Sequence, residues 1–208
     1  MRLGIRTFVA SLTVAAAACG GDPPAPAAEA GAAPGAPVRY RTTTVAEGLA
    51  TPYSLAFLPD GAMLLTERAG PPVYAEGQGG LFDVVLHPDF ASNGLVYLSY
   101  ASGTSDANGT RVARARFDGR SLQDLEVIFE ASPKKDTTAH FGGRLLFLPD
   151  GTLLVTLGDG FAYREKAQAL DGDLGKIVRI RDDGSVPDDN PFVGREGARG
   201  EIYSYGHR

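Results

Sequence analysis

The sequence predicts an all-β fold, and within that class a β-propeller, on three observations. The run Phe57-Leu58-Pro59-Asp60-Gly61, continuing to Leu64 and Thr66, returns as Phe147-Leu148-Pro149-Asp150-Gly151, continuing to Leu154 and Thr156. This FLPDG-x-x-L-x-T unit repeats at an offset of 90 residues, about twice the ~40–50-residue period of propeller blades. The second observation is a recurring strand, tight turn, strand pattern with Asp-Gly or Asn-Gly at the turn, residues that accept the positive φ angles hairpins need. The third is composition: 27 glycines and 14 prolines cluster between short apolar runs. No convincing amphipathic helix appears, since the best candidate, Tyr163 to Leu174, is short and interrupted by Gly172. A propeller blade is a small twisted sheet that covers its faces only by stacking on its neighbours.

In chain order, residues 1–18 read as an export signal rather than a folded element. Arg2 and Arg6 precede an apolar run from Thr7 to Ala18, which falls short of the ~20 residues of a membrane span. Ala16-Ala17-Ala18 leads directly to Cys19, the single cysteine of the chain, in a lipobox-like setting. Cys19 is therefore expected to be lipidated, on a protein that is exported to the periplasm or anchored at the outer membrane. Residues 20–37 contain only Gly, Ala, Pro, Asp and Glu. They have nothing large to bury and read, with Cys19, as a flexible tether. From Val38 onward the strand-and-turn texture begins, so residues 38–208 form the folded domain. The net charge of -5 provides no basic footprint for nucleic acid, and no His- or Cys-rich tract suggests zinc.

Three stretches stand out from this scaffold. Gly77-Gln78-Gly79-Gly80 opens an apolar strand, but no Lys-Ser or Lys-Thr follows, so it is not a phosphate loop. His140 lies directly before the second repeat strand, and Asp159 follows the strand that pairs with it. An imidazole there can exchange a proton near neutral pH, and a neighbouring carboxylate would orient it and favour its charged form. His87, in Leu86-His87-Pro88-Asp89, reads as a structural turn residue.

Taken together, the runs at 77–90, 93–101, 140–160, 174–192 and 201–208 resemble the soluble PQQ-dependent glucose/sorbosone dehydrogenase family, which includes bacterial aldose sugar dehydrogenases. The resemblance implies a six-bladed propeller, of which this chain would supply an incomplete ring of about three to four blades. It implies pyrroloquinoline quinone (PQQ) as cofactor and oxidation of an aldose at the C1 hydroxyl to a lactone, with the electron acceptor left open. His140 matches the general base, Asp159 its supporting carboxylate, Gln78 a residue lining the sugar and cofactor pocket, and Arg208 the arginine that contacts the quinone. Calcium is implied too, with its ligands expected beyond Arg208, so no metal ligand is assigned within the chain. A ring without its remaining blades would be inactive. Two departures from the family pattern stand out. Few residues separate Arg68 from the Gly77 loop, so the first blade is expected to lack strands, and Ala139 replaces the acidic residue of glucose-oxidising members, which argues against glucose as the preferred sugar. The alternative from another class is a non-catalytic binding propeller of the same family.

Overall fold

The computed structural model describes the backbone of residues 5–8, together with residues 40–70 and 72–208. Cys19, the tether and most of the segment read as an export signal lie outside the described residues. The fold is all-β. Its strands are β1 (Ile5–Phe8), β2 (Pro52–Phe57), β3 (Met63–Glu67), β4 (Leu81–Leu86), β5 (Leu95–Gly103), β6 (Asn108–Phe117), β7 (Leu122–Glu130), β8 (Gly142–Phe147), β9 (Leu153–Leu157), β10 (Lys176–Ile180) and β11 (Ile202–Tyr205). The helical pieces are short: α1 (Phe90–Asn93) and a 3-10 turn at Arg164–Ala167.

These strands form three antiparallel sheets, ordered β1-β3-β2, β4-β5-β6-β7 and β11-β10-β9-β8. Neighbouring sheets meet through their first strands, β2 against β4 and β4 against β8. The described sheets do not close a ring. In line with the short spacing after Arg68, among the described residues the first sheet takes β2 and β3 from its own region. The free edge of β3 is paired instead by the backbone of β1, from Ile5 opposite Thr66 to Phe8 opposite Met63. An unpaired strand edge offers a row of donors and acceptors that takes up any extended segment of suitable register.

The repeated motif makes the same turn twice. The N–H of Leu58 bonds Ala62 O and that of Gly61 bonds Leu58 O, while Asp60 Oδ1 accepts from the N–H of Ala62. Leu148, Gly151, Thr152 and Asp150 repeat these bonds. Gly61 and Gly151 have φ of 85° and 81°, a region a side chain rarely occupies. The two copies are the β2–β3 and β8–β9 hairpins, equivalent positions two sheets apart, which accounts for the doubled period.

The middle sheet is covered on both faces, as the alternation along β5 shows. Val96, Leu98 and Tyr100 pack with Leu64, Leu81 and Val84 towards the first sheet. Tyr97 packs with Val112, Leu145, Leu153, Val155 and Val178 towards the third. The outward faces of the outer sheets carry exposed apolar side chains, among them Leu55, Phe57, Leu146 and Tyr205.

A second device is repeated in all three hairpins. The register of the first strand shifts near its start, between Pro52 and Leu55, Leu81 and Val84, and Gly142 and Leu145. Such an irregularity bends a strand and frees backbone groups from the ladder. A hydroxyl on the second strand receives the freed N–H each time: Ser54 N to Thr66 Oγ1 at 2.9 Å, Asp83 N to Ser99 Oγ at 3.1 Å, and Arg144 N to Thr156 Oγ1 at 2.9 Å. Two of these hydroxyls then donate across to the next sheet, Thr66 to Phe82 O at 3.3 Å and Ser99 to Gly143 O. Asp83, itself buried, adds a carboxylate that accepts from Ser54 Oγ of β2 and from the Leu145 N–H of β8.

Two substitutions test this construction by urea unfolding of the chain. Leu153→Ala should cost about 2–5 kcal/mol through the cavity it leaves. Ser99→Ala should cost about 1–3 kcal/mol, since it strands a buried N–H and a buried carbonyl. A loss under about 0.5 kcal/mol in the second, the size of an ordinary surface change, would show that Ser99 does not bind the sheets together.

Candidate active site

The shifted starts of β4 and β8 aim two loops at one place. The first is the glycine loop before β4. Arg68, just after β3, donates from Nε to Gly79 O at 2.8 Å, and from Nη2 to Ala75 O at 3.0 Å and Gly77 O at 2.5 Å. That grip presses Gly77 onto Thr138, where a Cβ would come within 2.5 Å of the threonine side chain. Gln78 N then donates to Thr138 O at 2.7 Å. Gln78 Oε1 in turn accepts the backbone N–H of His140 at 2.8 Å.

The second loop carries His140 itself, held at φ 51°. A left-handed backbone is uncommon for any residue but glycine and persists only where its surroundings enforce it. Here the Gln78 amide takes the N–H, and the His140 carbonyl accepts from Gly160 N at 3.3 Å. Gly158 passes so close beneath that a Cβ would lie 2.2 Å from the carbonyl oxygen of His140.

The structure brings His140 and Asp159 into direct contact, with Nδ1 2.7 Å from Oδ1. An ionised carboxylate only accepts, so Nδ1 carries the proton, and Nε2 of the neutral ring keeps its lone pair. Among the described residues Nε2 has no hydrogen-bond partner. The Asp159 side chain is 4% exposed and that of His140 20% exposed, which places the acid behind the imidazole and the imidazole nearer the surface. Burial pushes the Asp159 carboxyl up. The hydrogen bonds from His140 and from the Phe161 N–H at 2.8 Å, with the favourable electrostatics of His140 and Arg208, outweigh it and hold the group below the usual carboxylate range. The Phe161 ring stands edge-on to the imidazole, centroids 5.3 Å apart.

Gln78 is thus joined to His140 through its backbone, and its exposed amide nitrogen makes no bond to a described residue. Arg208 is exposed at the end of the segment after β11. That segment is tied down by His207 N to Gly175 O at 3.0 Å and Gly206 N to Ala167 O at 2.9 Å. Arg68 and Lys135 carry no signal in the sequence pattern: Arg68 bonds carbonyls of the loop that follows it, and Lys135 bonds the Asn108 side chain and the Thr137 carbonyl. His87 lies at the other end of its strand, where Nδ1 accepts from Asp89 N and Asn93 Nδ2, both at 2.9 Å. Among the described residues no group of three His, Cys, Asp or Glu could hold a metal ion, and no helix is long and apolar enough to cross a membrane.

Asp159 makes stability depend on pH in a defined direction. Its folded pKa is depressed, so its stabilisation is complete above the unfolded value of 3.8 and is lost as pH falls through the lower folded value. Unfolding curves of Asp159→Asn should therefore converge on those of the wild type at the acid end of this range and fall below them near neutrality. A constant gap across the range would contradict the assignment.

The model of the family described as Glucose / Sorbosone dehydrogenase matches residues 69–208. The aldose sugar dehydrogenase of Escherichia coli K12 is 42% identical over 195 residues, covering 83% of this chain and 52% of that protein. Its apo crystal structure superposes with a TM-score of 0.72 at 44% identity, over 77% of this chain and 52% of that one. The PQQ-bound aldose sugar dehydrogenase of Streptomyces coelicolor gives a TM-score of 0.69 at 32% identity, over 80% and 53% of the two chains. The chain spans about half the length of the curated relatives it matches. With a family match that takes in both the Gly77 and the His140 loops, and these superpositions, the chain belongs to the glucose/sorbosone dehydrogenase family.

Proposed function

We propose that this chain forms the catalytic half of a PQQ-dependent aldose sugar dehydrogenase, which oxidises the C1 hydroxyl of an aldose to the lactone. The observation that carries the reading is the His140–Asp159 pair, with one imidazole nitrogen bound to a buried carboxylate and the other unengaged. Hydride leaves an alcohol carbon readily only as the hydroxyl proton is withdrawn. His140 Nε2 takes that proton, and Asp159 stabilises the imidazolium through the Nδ1 hydrogen bond. When bound, PQQ supplies the two-electron acceptor to which the C1 hydride passes.

The residues present suit an anionic quinone. Arg208 is exposed and close enough to Asp159 to lower its carboxyl, and Gln78 offers a free amide N–H beside His140. Both are assigned to cofactor and sugar binding. The relative from Streptomyces coelicolor was solved with PQQ bound, which supports the same cofactor here. No step is assigned to calcium, since the described residues form no metal site. An aldose is the substrate class, in line with the E. coli relative's name. We further place the protein outside the cytoplasm, held to a membrane through a lipid on Cys19.

A chimera tests the enzyme reading: residues 40–208 replace the matching half of the E. coli aldose sugar dehydrogenase. The chimera should bind PQQ, followed by quinone absorbance, and oxidise aldoses. His140→Ala should then lower turnover by about 10²–10⁴-fold, the usual share of a positioned base. A PQQ-loaded His140→Ala chimera working at the parent rate would refute the role given to His140. The anchor is tested separately in a bacterial host. Cys19→Ser should move the protein from the membrane fraction to the soluble one, and a lipid-free Cys19 in the mass spectrum of the wild type would rule the anchor out.

A further inference from the structure

Beneath the His140 loop lies a lysine that no step above employs. Lys135 is 3% exposed, and among the described residues no carboxylate lies within ion-pair reach of its Nζ. The side chain runs under the Asp159 loop, where a Cβ on Gly160 would come within 2.7 Å of Lys135 Cδ. Its three N–H bonds have three acceptors: Asn108 Oδ1 at 2.9 Å, Thr137 O at 2.6 Å, and the ring of Phe141, whose centroid is 3.4 Å away. Two of the acceptors lead back to the pair, and the third anchors the lysine to the middle sheet. Phe141 follows His140 in the chain and is pinned through its carbonyl by Thr110 Oγ1 at 2.8 Å. Thr137 Oγ1 donates to Gly160 O at 2.6 Å, the residue after Asp159. Asn108 belongs to β6 of the middle sheet and exchanges both backbone hydrogen bonds with Lys135.

A buried cation without a counter-charge is costly, and an apolar side chain of the same length would fill the space at less cost. We propose that Lys135 is a positioning residue for the His140–Asp159 pair: its buried ammonium, clamped between Asn108, Thr137 and the Phe141 ring, holds the two site loops in the register at which imidazole and carboxylate meet. The inference rests on the reading of that pair as the catalytic base and its support, and it deepens that reading.

The chemistry of the clamp requires the charge. A neutral amine has two N–H bonds instead of three and lacks the attraction of a cation for an aromatic face. Burial lowers the Lys135 pKa to about 8, with Asp136 pulling weakly upward. The other charged or titratable groups around it are already engaged. Asp136 accepts from Tyr163 Oη at 2.7 Å, Lys134 pairs with Glu130, and His140 pairs with Asp159. The sign is then definite. The clamp is intact below about pH 8 and loosens above it, while the unfolded lysine keeps its proton up to its ordinary value of 10.5. Between those limits the unfolded chain binds more protons, so this group adds stability as pH rises. Site geometry and global stability therefore move in opposite directions, whereas a residue with a purely structural role would lose both together.

The test reads the Nδ1–H of His140 by nitrogen-15 NMR of histidine-labelled chain without cofactor, the signal being identified by its absence in His140→Ala. In the wild type, exchange of this proton with water, corrected for the chemical dependence on hydroxide, should accelerate in a step centred near pH 8. In Lys135→Met exchange should already be about tenfold faster at pH 7, the worth of roughly one hydrogen bond, and the step should be missing. Asn108→Asp sets a carboxylate against the ammonium and should move the step upward by about one pH unit or more; it decides the matter even if Lys135→Met fails to fold. No step in the wild type, an unshifted step in Asn108→Asp, or wild-type exchange in Lys135→Met would each overturn the proposal. Because no PQQ is present, these outcomes are independent of the chimera experiment, and either reading can fail alone.

Discussion

The arrangement depends on three hydroxyls, those of Thr66, Ser99 and Thr156. Each sits on the second strand of a hairpin and receives an N–H that a register shift has released from the first strand. Sheets stacked face to face share no backbone ladder, so polar contact between them must come from side chains. Thr66 and Ser99 supply it by donating onward to carbonyls of the next sheet, Phe82 and Gly143. A small hydroxyl suits the place because it accepts and donates at once. Removing one orphans groups on two sheets.

The same shifts set the His140–Asp159 contact. A regular β8 would continue its ladder past Gly142, and the chain before it would follow the sheet. Instead Gly142 and Gly143 turn through positive φ, Phe82 fills the space where a Cβ of Gly143 would lie, and His140 is swung over the end of its partner strand. Asp159, at the end of that partner, then needs no long reach to meet it. The buried acid, the exposed imidazole and the left-handed backbone are three results of one local departure from regular pairing. Left-handed backbone at His140 is a strain of order 1–3 kcal/mol, which the Gln78 and Gly160 contacts offset.

Charge around the His140–Asp159 pair is arranged asymmetrically. Behind the imidazole lies one buried carboxylate, and nearby are Arg208 in solvent and Lys135 in the interior. A charge shielded from water acts at longer range than solvated surface charges do.

Much of this was legible in the residues alone. The repeat at 57–66 and 147–156 revealed hairpins two sheets apart, because the Pro-Asp-Gly turn and its Asx hydrogen bond are local chemistry that any context preserves. Strand class, the near absence of helix, and His140 and Asp159 as candidates also followed from local pattern. What the pattern could not disclose was why the motif ends in threonine, or that Gln78 would spend its oxygen on the backbone of a residue 62 positions away. Nor could it show that Lys135, in an unremarkable polar stretch, would be buried beneath the site. Those assignments belong to tertiary structure. They depend on which freed backbone groups and side chains lie within about 3 Å of each other once separate sheets are stacked, and sequence spacing carries no information about that distance.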